Sequence, residues 1–327
     1  MQPLVYIIVL NWNGHTDTMR CVASLERQLY TNRRILIVDN GSTDGSIEVL
    51  RGLGDRACLI EDPENRGYSG GNNRAMRLAF DRGADYVWLF NNDAVAEPNA
   101  LTRMIDICEA DFGIGLASPL ILEEYDHDVV QSACGLFDLA VPDYTPTNDV
   151  VRAQEWHTQY PDRIGLVGTA MLVRRAAYEK IGELDDHLFA YWEDYDYSIR
   201  SALAGFRNMV VFEASIFHRG KPATDSVEEL KPHYYYYMSR NEILMWRKFC
   251  SRLQFLRFLI WIVRQRLVLL DQMPDNPVVL NAVLAGLWDG LRGMGGVYDP
   301  NRRIPFPFRE LVGRNPRLWI RMIDAIS

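Results

Sequence analysis

"VWLFNNDAVAEP", residues Val87 to Pro98, is an apolar run of strand character that stops abruptly at Asn91, Asn92 and Asp93. A proline closes the stretch at Pro98. Three readings of that stop are open. Asn and Asp are ordinary turn formers. Either can cap a following helix by accepting from its free backbone N–H groups. In the third, a carboxylate at a strand's C-terminal edge holds a metal ion against a phosphate. The flanking sequence decides between them.

Toward the N-terminus, strand-like and helix-like segments alternate. Leu4 to Leu10 is a β-branched apolar run, and Thr16 can cap a helix with Val22, Leu25 and Leu29 on one face. Ile35 to Val38 is a short strand ending in Asp39-Asn40-Gly41-Ser42, after which Ser42 or Thr43 can open a helix through Leu50. Ala57 to Ile60 is strand-like, Gly70 to Phe80 helical, and Tyr86 to Phe90 a strand again. This β-α-β-α-β-α-β order predicts an α/β fold with a mostly parallel sheet covered on both faces. Such sheets bind ligands beyond the C-terminal ends of their strands. The polar clusters "NWNG", "VDNGSTDGS", "ENRGYSGGNN" and "NND" all follow strands, so they are expected along one edge.

Toward the C-terminus, Ile114 to Leu122 and Val129 to Phe137 read as strands, and Val141 to Asp162 as a loop rich in Pro, Asp and Thr. A strand, a short helix, a loop and another helix follow, then a strand ending at His218. After Lys221 the composition shifts to three helical segments, the last closed by glycines. The expected division is therefore 1–220 and 221–327.

The chain has 327 residues, 48% hydrophobic and 24% charged, enough for a substantial core. A net charge of −8 argues against a general nucleic-acid binder. Five scattered cysteines without CxxC spacing predict reduced, cytosolic thiols and no zinc site. The N-terminal apolar run is of strand length without a basic region before it, unlike a signal peptide. No run of about 18 uncharged apolar residues predicts a spanning helix.

The motifs "VLNWNG", "VDNGSTDGS", "NRGYSGGNNRA", "WLFNNDA", "GTAMLVRR", "YWEDYDYSIR", "HRG" and "YYYYMSRN", in this order, resemble the family 2 glycosyltransferases of GT-A fold. The similarity is to their rhamnosyltransferase-like branch, which builds bacterial surface polysaccharides, and it covers Pro3 to Gly296. It implies a GT-A catalytic domain over 1–220 and a helical extension over 221–327.

It also implies the chemistry. Asp93 would anchor a divalent cation, Mn²⁺ or Mg²⁺, with the donor's diphosphate and water supplying further oxygens. The family usually carries two or three acids here; this chain departs from that with Asn91 and Asn92. His218 matches the family's second metal ligand. In "YWEDYDYSIR" the family pattern makes Asp194 the base for the acceptor hydroxyl. Glu193 would orient the acceptor or raise the pKa of Asp194. Asp196 reads as a helix-start acid bridging Arg200 at i+4. One base and direct displacement imply inversion. Asn11, Asn13 and Asp39 would line the nucleotide pocket. Asn65, Arg66 and Gly67 form the family's N-x-G loop, while Asn72, Asn92 and Arg240 would lie near the ribose or diphosphate.

The donor implied is dTDP-β-L-rhamnose and the acceptor a saccharide or lipid-linked saccharide. The alternatives are a UDP-hexose or UDP-galactofuranose donor, or a non-catalytic sugar-nucleotide scaffold. Leu253 to Leu270, apolar with interspersed arginines, is either an amphipathic packing helix or a surface helix on the cytoplasmic leaflet. In the second case its lipid face is expected at Phe255, Leu259 and Ile262.

Overall fold

A computed structural model of the protein describes residues 2–220, 231–273, 276–305, 308 and 316–324. The composition shift after Lys221 falls on residues 221–230, outside the described ones. The chain forms two compact units: 1–137, 144–185 and 193–222 make the first, and 138–143, 186–192 and 223–327 the second.

The first unit is built on one large sheet. Strands β1 (Val5–Asn11), β2 (Arg33–Asn40), β3 (Cys58–Asp62) and β4 (Tyr86–Asn91) are mutually parallel in the order 3-2-1-4. Their crossovers are α1 (His15–Glu26), α2 (Ser46–Arg51) and α3 (Gly67–Asp81). β1, β2 and β4 bury both faces, which is why each sequence is a near-continuous apolar run, while the edge strand β3 leaves Cys58 and Glu61 exposed. Val5, Ile7 and Val9 pack with Cys21, Val22 and Leu25 of α1. Tyr6 and Ile8 point the other way, onto Ala75, Met76 and Ala79 of α3.

Beyond β4 the chain returns through β5 (Ala94–Ala96), α4 (Ala100–Ala110), β6 (Ile114–Glu123), β7 (Val130–Ser132), β8 (Cys134–Asp138) and β9 (Asp143–Thr147). Next come α5 (Val150–Gln159), β10 (Ile164–Gly165), β11 (Leu172–Arg174), α6 (Arg175–Ile181), α7 (Glu193–Leu203) and β12 (Arg207–His218). β11 joins the sheet antiparallel to both β4 and β6; β12 runs parallel to β6, and β5 pairs antiparallel with the end of β12. The stretch expected as a loop over Val141 to Asp162 instead holds β9 and α5. Asp149 caps α5, its carboxylate accepting from the Arg152 N–H at 3.1 Å. Gly14, not Thr16, precedes α1, and Gly45, not Ser42 or Thr43, opens α2.

The second unit contains α8 (Pro232–Phe249), α9 (Arg252–Gln272), α10 (Pro277–Arg292) and α11 (Pro316–Asp324). α10 packs closely on α8 because Gly286 and Gly290 carry no side chain: a Cβ at Gly286 would lie 2.5 Å from the Tyr236 carbonyl oxygen. As expected, a glycine ends α10, with Gly293 in the left-handed conformation at φ 72°.

Candidate active site

Parallel register brings the polar clusters to one edge. Asn11 at the end of β1 is level with Asp39 at the end of β2, Asn40 with Asp62 of β3, and Leu10 with Asn91 of β4. Asn11 donates from Nδ2 to Asp39 Oδ1 at 2.7 Å, and the Ser42 N–H donates to Asp39 Oδ2 at 3.1 Å. Ser42 Oγ also accepts from the Asn13 N–H, while Asn13, at φ 50°, accepts from the Thr43 N–H. Ser42 is thus unavailable as a helix cap because it ties these turns together. Asp39 is fully buried, yet each carboxylate oxygen keeps a further lone pair for a donor group.

The N-x-G turn is built the same way. Asn40 donates to Asn65 Oδ1 and to the Gly67 carbonyl, and accepts from the Arg66 N–H. Asn65 in turn accepts from the Gly67 N–H, and Gly67 sits at φ 73°, favoured by glycine. Arg66 extends into solvent beside Asp62 and Glu64. Asn92 donates to Thr18 Oγ1 at 3.0 Å, pinning the β4–β5 turn to the start of α1.

Asn72 is buried and turns its amide N–H onto the Tyr68 carbonyl of its own helix. Arg240 is fully buried in the second unit. Its guanidinium donates to the carbonyls of Leu188 and Gly296, to Asn241 Oδ1 and to Tyr236 Oη. A guanidinium so engaged is committed to contacts within the second unit. Its neighbour Asn241 donates to the carbonyls of Leu188, Ala190 and Tyr191. The two side chains brace a loop in which Phe189, Tyr191 and Trp192 all have positive φ, a conformation costly for bulky residues.

Asp93 occupies the turn that closes β4, so the turn reading and the ligand reading describe the same residue. β5 begins one residue later, and its antiparallel pairing sets His218 opposite Ala94. That register leaves Asp93 Oδ1 3.1 Å from His218 Nε2. Burial works against ionising Asp93, but the hydrogen bond and charge of His218, with Arg219, hold its carboxyl below the usual carboxylate range. Two ligands about 2.1–2.2 Å from a six-coordinate ion, at right angles, stand about 3.0 Å apart. The Asp93–His218 separation therefore fits one divalent cation with its other positions left to phosphate and water. Among the described residues no group of three or more His, Cys, Asp or Glu side chains could hold a metal, so a cation here would depend on the substrate for most of its ligands.

The second acidic group opens α7. Asp194 is half-buried; its Oδ2 accepts from the Gly168 N–H at 2.8 Å and its Oδ1 from the Tyr195 N–H at 2.9 Å. Burial raises its pKa to about 6, against the pull of those backbone N–H groups. Glu193 is buried, with Oε2 lacking a hydrogen-bond partner among the described residues; burial, then the charge of Asp194, push its pKa well up. Asp196 is fully buried and accepts from Arg200 Nε at 2.7 Å, the i+4 bridge expected from the sequence.

Gly168 had no assigned part in the sequence reading. It donates to Asp194 and accepts from Tyr68 Oη at 2.5 Å, so it holds a carboxylate from one side and a tyrosine from the other. The only signal for it was the glycine of "GTAMLVRR".

Fold and edge together define an α/β protein with a polar binding edge at the C-terminal ends of its parallel strands. Residues 6–182, more than half the chain, match the model of Glycosyl transferase family 2, and the chain belongs to that family. It is 26% identical over 270 residues to the N-acetylglucosaminyl-diphospho-decaprenol L-rhamnosyltransferase of Mycobacterium tuberculosis, covering 76% of this chain and 88% of that one. Solved structures of similar fold include the mannosyltransferase PcManGT from Pyrobaculum calidifontis in complex with GDP-Man and Mn²⁺, with TM-score 0.53, 14% identity and 99% and 85% of the two chains covered. Another is S. aureus TarS 1-349 in complex with UDP-GlcNAc, with TM-score 0.59, 13% identity and 98% and 88% covered. The fold is the GT-A type that the motifs implied.

Proposed function

We propose that the protein is an inverting, divalent-metal-dependent glycosyltransferase moving L-rhamnose from dTDP-β-L-rhamnose to a saccharide hydroxyl on a lipid-linked acceptor. The observation that carries the metal-assisted mechanism is the Asp93–His218 pair, 3.1 Å apart where β12 meets β5. The rhamnosyl donor and lipid-linked acceptor follow the relative's activity. Asn11, Asn13, Asp39, Asn65, Arg66 and Gly67 hold the nucleotide at the strand ends. Asp93 and His218 hold Mn²⁺ or Mg²⁺, which when bound supplies charge compensation for the departing diphosphate. Asp194 takes the acceptor's proton as that oxygen forms its bond to the anomeric carbon and the bond to diphosphate breaks. Glu193, beside Asp194 at the start of α7, orients the acceptor.

A thermal-shift panel of dTDP- and UDP-sugars with Mn²⁺ tests the donor. A ligand at a hundredfold its Kd stabilises the native state by about 2.7 kcal/mol. dTDP-rhamnose is expected to raise Tm most, and only with metal; a larger shift with a UDP-hexose or UDP-galactofuranose reassigns the donor.

A lipid-linked acceptor lies at a lipid surface, and the composition of the second unit suits contact with one. Residues 231–327 hold 15 Lys and Arg against 7 Asp and Glu, in a chain whose net charge is −8. No described helix is long and apolar enough to cross a membrane. The exposed face of α9 is not the one expected from the sequence, because Ile262 is fully buried and Phe255 lies under the Arg247 guanidinium. Leu253, Leu256, Ile260 and Trp261 are the exposed apolar residues, with the exposed Arg252 and Arg257 among them. Apolar side chains flanked by arginines suit an anionic bilayer surface. Replacing Leu256, Ile260 and Trp261 with Ser should cut co-sedimentation with anionic vesicles at least tenfold and leave Tm within a few degrees. Unchanged co-sedimentation would remove the lipid from the proposal.

A further inference from the structure

We infer that Gln131 is the positioning residue that aims His218 at the metal, an inference resting on the metal reading of Asp93 and His218. Gln131 Oε1 lies 2.6 Å from His218 Nδ1, on the side of the ring away from Asp93. An amide oxygen only accepts, so Nδ1 is the nitrogen that carries hydrogen. Asp93 Oδ1 is an acceptor facing Nε2; with Nδ1 committed to Gln131, Nε2 is the nitrogen that would exchange its hydrogen for a cation and offer it a lone pair. Without this acceptor the ring could carry its proton on Nε2 and offer a cation nothing. A second hydrogen bond of this kind is a general device for orienting a metal-binding imidazole.

A strand irregularity delivers Gln131 to that position. β7 pairs antiparallel with β6, Leu122 opposite Val130 and Ile121 opposite Ser132, with a break in register between them. Gln131 is the extra residue on its strand. Such a bulge leaves one residue out of the ladder and re-aims its side chain, and bulges concentrate beside functional sites. Glu123 of β6 is level with His218 of β12, so the bulge lies at the same end of the sheet as the imidazole. Nothing else in the ladder requires the break: β7 is three residues long and contributes only half-buried side chains.

The test is Mn²⁺ binding, followed by the EPR signal of the free ion, with UDP or dTDP present and no sugar acceptor. Gln131→Leu and Gln131→Ala should each weaken Mn²⁺ binding by roughly 10–100-fold. Gln131→Glu, which keeps an acceptor at the same reach, should stay within a few-fold of wild type. That rescue marks an orienting acceptor, because a role in packing alone would be served as well by Leu. His218→Ala and Asp93→Ala test the underlying metal reading separately. If both of those lose Mn²⁺ while Gln131→Leu and Gln131→Ala retain it, Gln131 has no positioning role and the metal site stands. If Gln131→Glu loses as much as Gln131→Leu, the inference is likewise overturned. If none of the five variants changes Mn²⁺ binding, the ion is held elsewhere and the metal reading falls with it.

Discussion

Asp194→Asn is expected to lower turnover by roughly 10²–10⁴-fold, the range associated with losing a general base, while donor affinity stays near that of wild type. An asparagine has almost the same shape but cannot take a proton at neutral pH. It is not a perfect mimic here. The carboxylate accepts two backbone N–H groups, from Gly168 and Tyr195. An amide has one acceptor oxygen, so one N–H loses its partner, at a cost of about 1–3 kcal/mol. Removing a charge from a buried site works in the opposite direction, so the net change in Tm should be small. The control, Asp196→Asn, is expected to behave inversely. Asp196 is buried against Arg200, and its loss should lower Tm while leaving the rate per folded molecule near wild type. If Asp196→Asn instead abolishes turnover and Asp194→Asn does not, the base lies two residues along.

The pH profile supplies an independent check on the same group. Asp194 must be ionised to accept a proton, and burial raises its pKa to about 6. The rate should therefore fall as pH drops through about 6, tenfold per unit, rather than near the ordinary carboxylate value. The stability linkage has the matching sign. A carboxyl with a raised native pKa favours the fold while protonated, and that contribution is lost as pH rises through about 6. In Asp194→Asn both the acid limb of the rate and this pH-dependent loss of stability should disappear. A profile still falling near pH 6 in the variant would assign the limb to another group.

What could be read without coordinates was what local chemistry decides. The runs at Leu4 to Leu10 and Tyr86 to Phe90 are unbroken because both faces of a parallel strand are covered, and each stops at amides or acids because the edge beyond it is polar. Asp196 and Arg200 were legible as a pair because i+4 spacing on a helix guarantees proximity. The failures have equally physical causes. α5 is surrounded by Thr, Pro and Asp and buries only Ala153 fully, so it has no apolar periodicity; its one local sign was the Asp149 cap. Ser42 looked like a helix cap, but Asn11 and Asn13 use its hydroxyl. The burial of Arg240 was not legible either, because an arginine in a motif carries no mark of it. Gln131 could not be found at all, since a bulge is a property of two strands in register.

Asp93→Ala should reduce turnover by roughly 10³-fold or more, since charge compensation of a leaving phosphate by a bound ion is worth several kcal/mol. The same variant should lose the Mn²⁺-dependent part of donor binding. The fold should survive. The Asp93 side chain is about a third exposed, its recorded side-chain bond is to His218, and a partly exposed ion pair contributes at most about 1 kcal/mol. The loss of activity in Asp93→Ala alone would not separate a ligand from a turn former, because alanine serves the β4–β5 turn poorly. Asp93→Asn separates them. Asparagine forms such turns as well as aspartate does, and the chain already carries it at Asn91 and Asn92. A turn residue would tolerate the change with full activity. A ligand would not, because an amide oxygen lacks the formal charge that offsets a divalent cation in a site holding only one other protein ligand. Asp93→Asn is therefore expected to fold like wild type, keep its Tm within a few degrees, and bind Mn²⁺ at least tenfold more weakly. Wild-type Mn²⁺ affinity in Asp93→Asn would reduce "NND" to a turn and leave His218 without its partner in the mechanism.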